Sequence, residues 1–110
     1  MTESHDKMRL ELRRGLLAMA AMAALRQEHY GYSLRRELSE SGLEIDEGTL
    51  YPLIRRMEDQ GMLTSEWRKT DGRDRRYYRL SPAGGRVLAA LESEWRQLTR
   101  TLELILGQQR

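Results

Sequence analysis

Two stretches of this chain concentrate side chains that can recognise another molecule. The first, EGTLYPLIRRMEDQG, spans residues 47–61, and the second, RKTDGRDRRYY, spans residues 68–78. Both combine arginine with tyrosine, whose guanidinium and phenol groups donate hydrogen bonds to phosphates and to base edges. Only Lys7 and Lys69 among the 19 basic residues are lysines. A genome rich in arginine codons would also explain this excess, but it would not explain the clustering.

Patterns typical of catalysis and of metal binding are absent from the sequence. The two histidines, His5 and His29, lie on different segments, and the chain has no cysteine. It contains no His-Glu-x-x-His motif, no GxxxxGK[ST] loop and no GxGxxG turn, which are the common signatures of zinc, phosphate and dinucleotide sites. We therefore expect neither an enzyme nor a cofactor or metal site.

Length and composition are those of one water-soluble domain. The chain has 110 residues, of which 33% are charged. No apolar run reaches the roughly 20 residues of a membrane-spanning helix, and the charged start, MTESHDKMRLELRR, is unlike a signal peptide. We expect a cytoplasmic protein that does not bind a membrane. Residues 64–80 hold six basic and three acidic side chains, whereas residues 31–63 hold four arginines and seven acids.

Apolar periodicity and turn residues predict a mainly α-helical chain with a small β-hairpin. HYGY is interpreted as a turn at Gly31, and Asp71-Gly72 as the turn of the hairpin, between MLTSEWRK and RRYYRL. Tyr77 and Tyr78 alternate faces, so one of them should be buried. The predicted helices run from about Met8 to Glu28, from Ser33 to Ser41, from Glu47 to Gln60, and from Pro82 to about Leu106.

The third predicted helix has an unusual outer face. Asp46 is a good N-cap, and the inward stripe is expected to bury Leu50, Leu53, Ile54 and Met57. Pro52 interrupts the stripe, but it falls in the second turn, where the carbonyl that it would crowd belongs to Gly48. A face with a phenol, a flat ring and arginines suits contact with DNA better than contact with water. The side chains expected to contact DNA are Thr49, Tyr51, Pro52, Arg55 and Arg56 from this helix and Arg73, Arg75 and Arg76 from the hairpin.

Each of these assignments has a simpler alternative. Tyr51, which the pattern directs towards solvent, could fold back onto Pro52. Arg55 and Arg56 could pair with neighbouring acids such as Glu58 on a solvated helix. The arginines of the hairpin could form a loop that serves solubility alone.

The last predicted helix carries a row of apolar residues at alternating spacings of three and four, typical of a coiled coil. This row includes the residues assigned to a dimer or effector interface: Leu88, Leu91, Trp95, Leu98 and Leu102. We expect the row to pack against the first helix of a second subunit, although packing within its own domain is the alternative. Trp95 either fills the core of that interface or lines a cavity for a small, flat apolar effector.

The predicted order, three helices and then a basic hairpin, is that of a winged helix-turn-helix. GTLYPLIRRMEDQGML and GRDRRYYRLSPAG also resemble the PadR family of bacterial transcriptional regulators, with a match from about Leu16 to Gly85. The resemblance implies a homodimer that binds operator DNA, commonly as a repressor. Its TLYP tyrosine corresponds to Tyr51, and its basic wing residues to Arg73, Arg75 and Arg76.

The chain is expected to have two parts, and one rival function remains. Residues 1–80 are expected to form the DNA-binding unit and residues 81–110 the dimerisation helix, within one compact domain. Asp74 departs from the usual wing sequence of the family. The alternative function is a winged-helix module that binds other proteins without sequence-specific DNA binding.

Overall fold

Four helices and a three-stranded antiparallel sheet surround one apolar core in the computed structural model, which describes residues 2–108. The helices and the hairpin were predicted, but the third strand was not. In chain order the elements are α1 (Glu3–Ala24), β1 (His29–Tyr30), α2 (Gly31–Glu40), α3 (Glu47–Asp59), β2 (Leu63–Thr70), β3 (Arg73–Leu80) and α4 (Pro82–Gly107).

Helix α1 is shifted towards the N-terminus relative to its predicted bounds. It begins at Glu3 because the hydroxyl of Thr2 accepts a hydrogen bond from the His5 backbone N–H, at 3.1 Å. It ends at Ala24 rather than at residue 28. The interpretation of HYGY as a turn was wrong, because residues 29–30 form β1 and α2 begins directly at Gly31.

The sheet has the strand order β1-β3-β2, with β3 in the centre. The pairing of β2 with β3 runs from Leu63 opposite Leu80 to Thr70 opposite Arg73, which leaves a two-residue turn. Both turn residues have positive φ, 53° at Asp71 and 77° at Gly72, as a type I′ turn requires. The predicted hairpin is therefore confirmed, and we call β2, β3 and their turn the wing. The additional strand, β1, pairs with β3. It has only two residues, which are too few for a sequence periodicity to be recognised.

The core lies where α1, α2 and α3 meet the base of the wing. Tyr78 is buried and Tyr77 is only partly buried, as the alternation along β3 predicted. Leu53 was expected in the buried stripe of α3 but is only partly covered. The buried apolar residues are Leu17, Ala21, Met22, Leu25, Leu34, Leu38, Leu50, Ile54, Met57, Leu63, Tyr78 and Leu88.

Helix α4 starts on the core and then leaves it. Its N-cap, Ser81, accepts a hydrogen bond from the Gly84 backbone N–H at 2.9 Å and donates one to the Gly61 carbonyl at 2.6 Å. Pro82 follows at the first helical position, where its missing N–H costs nothing. Within this chain the helix is covered at Leu88 and exposed from Ser93 onward, apart from a partly covered Thr99. The whole arrangement is the winged helix-turn-helix with a long C-terminal helix that the sequence predicted.

Candidate nucleic-acid interface

The start of α3 shows how the helix accommodates its proline. The Asp46 carbonyl accepts hydrogen bonds from the backbone N–H groups of Thr49 and Leu50, at 3.2 and 3.0 Å. The Asp46 carboxylate accepts one from the Thr49 hydroxyl at 2.8 Å, and this bond is the main reason that the pKa of Asp46 is lowered. An ionised carboxylate at this end also suits the helix dipole. Pro52 lies in the second turn of α3 and cannot donate the backbone hydrogen bond that another residue would donate there. The hydrogen bonds to Asp46 stabilise the first turn without it.

Beyond the proline, α3 presents two arginines to solvent. Arg55 and Arg56 are exposed, and neither makes an ion pair with any residue in the range 2–108. The acid that Arg56 could have bound, Glu58, instead binds Arg76 of the wing. Both α3 guanidinium groups are thus available to an outside partner, and the alternative of local charge pairing is not found among the described side chains.

Tyr51 does not point into solvent as the helical pattern suggested. Its ring is half-buried and lies against Gly31, the first residue of α2. Burial, followed by the nearby charge of Glu47, raises the pKa of the Tyr51 phenol, while Arg35 acts in the opposite direction. A phenol is protonated at neutral pH even without such a shift, so the hydroxyl can donate a hydrogen bond to an anion.

The three wing arginines differ in what they contact. Arg73, beside the turn, is exposed and unpaired among the residues that the structure describes. The Arg75 guanidinium lies 4.5 Å from the centroid of the Tyr30 ring. Arg76 forms an ion pair with Glu58 of α3 at 3.0 Å. Two of the three guanidinium groups thus have a partner within the protein. The partner of Arg75 is an aromatic ring, and the partner of Arg76 is a carboxylate.

Arginine and tyrosine side chains contact one another in alternation on one face of the wing. Arg68 lies 3.9 Å over the Tyr77 ring, which meets the Tyr30 ring edge-on at a centroid distance of 5.5 Å, and Arg75 covers the same Tyr30. Glu28 binds Arg68 at 2.5 Å. The hydrogen bond from Arg68 is the main reason that the pKa of Glu28 is lowered. These contacts attach the wing to the segment between α1 and α2.

A cleft of about 350 Å³ separates α3 and the start of α2 from the wing. Four predicted site residues meet along it, namely Tyr51, Arg55, Arg75 and Arg76. Thr49, Pro52, Arg56 and Arg73 do not line it.

Two exposed aromatic residues of the cleft were missed by sequence reasoning. Trp67 of β2 is 64% exposed and lies opposite Arg76 in the sheet. The alternation of strand residues would have placed it on that face. Tyr32 is 53% exposed and was overlooked because its segment was interpreted as a turn.

The predicted dimer residues divide into a covered and an exposed group. Leu88 is buried and Leu91 is partly buried, whereas Trp95, Leu98 and Leu102 are 43%, 58% and 53% exposed. Leu91, Trp95 and Leu98 line an apolar groove of about 430 Å³ against α1. Packing within the chain therefore leaves most of this row uncovered.

The family of the chain follows from comparison with known proteins. A sequence model of the transcriptional regulator PadR-like family matches residues 21–90, which is more than half of the chain and includes the cleft. The chain belongs to the PadR-like family of transcriptional regulators.

Individual PadR-like relatives agree with this assignment. The chain is 45% identical, over 82 residues, to a transcriptional regulator of Mycobacterium tuberculosis, which covers 74% of each protein. It is similar in structure to a PadR family regulator from Eggerthella lenta, with a TM-score of 0.92, 41% identity and coverage of 97% and 96% of the two chains. A PadR-like regulator from Bacillus cereus superimposes with a TM-score of 0.78, at 26% identity and coverage of 91% and 99%.

Membership in the PadR-like family establishes DNA-binding transcription regulation as the general function of this protein, and the family consists of regulators rather than enzymes. Across residues 2–108, no cluster of three side chains suited to a metal ion is found. None of the described helices has the length and apolar character needed to cross a membrane.

Proposed function

We propose that this PadR-like protein binds a pseudo-palindromic operator sequence as a homodimer and represses transcription. The observation that carries the proposal is the outward face of α3, where Arg55 and Arg56 are unpaired among the described residues and Arg55 lines the cleft shared with the basic wing. Helix α3 would enter the major groove. Arg55 would then contact a guanine edge with two hydrogen bonds, which is the commonest base-specific contact of arginine.

Contacts to the DNA backbone would fix the orientation of α3. Tyr51, which keeps its proton, would donate to one phosphate, and Arg73 and Arg75 would neutralise others. On α3, Thr49, Pro52 and Arg56 would lie beside Arg55 and would also face the DNA major groove. Arg76 belongs to the same interface, but its guanidinium binds Glu58, so we assign it the role of holding the wing next to α3.

The exposed row of α4 supports a homodimer. A row of apolar side chains at coiled-coil spacing, left half-exposed by its own chain, gains roughly 25 cal/mol for each Å² removed from water. The exposed N-terminal half of α1, with Met8 and Leu12, supplies a second apolar surface of similar character. Pairing of α1 and α4 across a two-fold axis would place the two α3 helices about 34 Å apart, in successive major grooves.

The groove beside Trp95 supports control by a ligand. Its walls are apolar side chains of α1 and α4, and Trp95 offers a flat aromatic face. A flat apolar compound that stacks there would change the spacing of the two α3 helices and release the DNA. Because Trp67 is the only other tryptophan, quenching of Trp95 in a Trp67→Phe variant would report such binding directly.

Operator binding would also mean that the protein acts in the cytoplasm, where bacterial DNA is located.

The proposed function is tested by fluorescence anisotropy with duplexes tiled across the intergenic region upstream of the protein's own gene. Titrations at several salt concentrations, with nonspecific competitor DNA, separate specific from electrostatic binding. One duplex bound at nanomolar concentration, with two protomers per site, supports the proposal. Weak and uniform binding to every duplex would mean either that the operator lies elsewhere or that the protein is a module that binds other proteins, and capture of protein partners would then distinguish the two.

A further inference from the structure

Gly31 occupies a position where the backbone does not need glycine. It is the first residue of α2, and the described glycines with positive φ are Gly42, Gly61 and Gly72. A helical residue with ordinary φ can be alanine, and alanine is intrinsically about 1 kcal/mol better than glycine within helices. The reason for glycine must therefore lie in the surroundings of the missing side chain.

Those surroundings are the ring of Tyr51. A Cβ atom at residue 31 would lie 2.9 Å from the Cε1 atom of Tyr51, 3.1 Å from its Cζ and 3.2 Å from its hydroxyl oxygen. The first of these distances is shorter than van der Waals contact allows, so any larger residue would push the ring away. All three atoms belong to the far end of one flexible side chain. The displacement would consequently require no movement of α2 or α3.

We propose that Gly31 is a positioning residue for DNA binding, because its lack of a side chain lets the Tyr51 phenol lie against the first turn of α2 and holds its hydroxyl at the cleft for a DNA phosphate. The inference rests on the proposed function, which gives Tyr51 its role at a phosphate. Gly31 itself has no functional group to offer and acts through Tyr51.

The environment of the Tyr51 hydroxyl agrees with this role. It lies beside the N-terminal end of α2, where the partial positive charge of a helix favours an anion. Burial, to which the contact with Gly31 contributes, raises the pKa of the phenol, and the nearby charge of Glu47 adds to the rise. A ring that is already fixed before binding also loses less conformational entropy when the DNA arrives.

The substitution Gly31→Ala separates positioning from folding. We expect its melting temperature to equal or exceed that of the unsubstituted protein, because alanine favours the helix. We expect operator affinity to fall about tenfold, the loss typical of one hydrogen bond to a charged group. Gly85→Ala is the matched control, since Gly85 is also helical and an added Cβ there would meet no atom within 4 Å. It should leave affinity unchanged.

A double-mutant cycle with Tyr51→Phe tests whether Gly31 acts through the hydroxyl. The phenylalanine ring remains, but it has no hydroxyl to misplace, so Gly31→Ala should cause little further loss in that background. An equal loss in both backgrounds would overturn the inference, as would unchanged affinity of Gly31→Ala alone. If the unsubstituted protein binds no duplex, the proposed function and the DNA role of Gly31 fail together.

A measurement without DNA distinguishes these failures. Titration of the Tyr51 Cζ resonance in protein labelled at tyrosine should give a pKa above the ordinary value, and Gly31→Ala should lower it towards that value. The resonance is identified by its disappearance in Tyr51→Phe. A Tyr51 pKa that does not respond to Gly31→Ala would show that Gly31 does not position the ring.

Discussion

Glu58 of α3 and Arg76 of β3 are joined by an ion pair of 3.0 Å at the edge of the cleft. The hydroxyl of Ser65, on β2, completes the contact by donating to Glu58 at 2.5 Å and accepting from the Arg76 Nε at 2.9 Å. The wing is therefore attached to α3 by a closed set of three hydrogen-bonded side chains. The angle between wing and helix, which decides whether both reach one duplex, depends on this set.

The ion pair predicts an effect of unusual sign. Removing a carboxylate from a DNA-binding surface normally reduces repulsion and raises affinity. We expect Glu58→Ala to weaken operator binding instead, by roughly three- to tenfold, because it leaves Arg76 without its anchor. Asp59→Ala is the control, since Asp59 is the adjacent, exposed acid and has no ion pair with any described residue. Tighter binding by both variants would contradict an anchoring role.

Arg75 should contribute to affinity without contributing to sequence preference. Its guanidinium is supported by the Tyr30 ring at 4.5 Å, which suits a phosphate contact. We expect Arg75→Ala to weaken all duplexes alike and to lower the slope of log K against log salt by about one. Arg86→Ala, an exposed arginine on α4, should keep the full slope. A changed base preference in Arg75→Ala would place Arg75 at a base rather than at a phosphate.

Arg55 should show the opposite behaviour. Loss of a contact to a guanine edge removes discrimination at that base pair, at a cost of about 1–3 kcal/mol. We expect Arg55→Ala to relax the preference at one position of each half-site, as measured with a set of singly substituted duplexes. If both affinity and preference stay as they were, the role of Arg55 in base recognition is wrong.

The dimer prediction is tested by two leucines on different faces of one helix. Leu98 belongs to the apolar row of α4, whereas Leu104 lies outside the row and is 70% exposed. We expect Leu98→Glu to produce monomers at micromolar concentration in sedimentation velocity, because a charge would be buried at the interface. Leu104→Glu should remain dimeric. Dimers that persist in both variants would place the interface elsewhere.

The ion pair of Glu28 with Arg68 predicts a dependence of stability on pH. The folded protein lowers the pKa of Glu28 relative to the ordinary value of 4.5, so folding is favoured when the carboxylate is ionised. This contribution is complete above pH 4.5 and is lost as the pH falls through the lower, folded-state value. Glu28→Gln should therefore reduce the melting temperature at pH 6, and this difference should shrink as the pH falls below 4.5. Glu3→Gln, an exposed acid paired with Lys7 at 4.0 Å, is the control and should have little effect across this pH range.

The sequence alone determined the elements and the chemistry of the two surfaces. Helix α3, the wing turn at Asp71-Gly72 and the start of α4 at Ser81-Pro82 could all be predicted, because capping residues, turn residues and apolar spacing act over a few neighbouring positions. The same spacing marked the row from Leu88 to Leu102. The same rules did not predict the short strand at residues 29–30, because this strand is stabilised by pairing with β3 and not by its own sequence.

Only the tertiary structure decided what each functional side chain contacts. The helical pattern directed Tyr51 towards solvent, yet its ring lies on Gly31, 20 positions earlier in the chain. Arg73, Arg75 and Arg76 look equivalent in the sequence, but one is unpaired among the described residues, one stacks on Tyr30 and one binds α3. These differences arise from contacts between elements that are distant in the chain. Sequence periodicity specifies which face of a helix or strand is apolar. The packing of the whole chain decides which other element contacts that face or its edge.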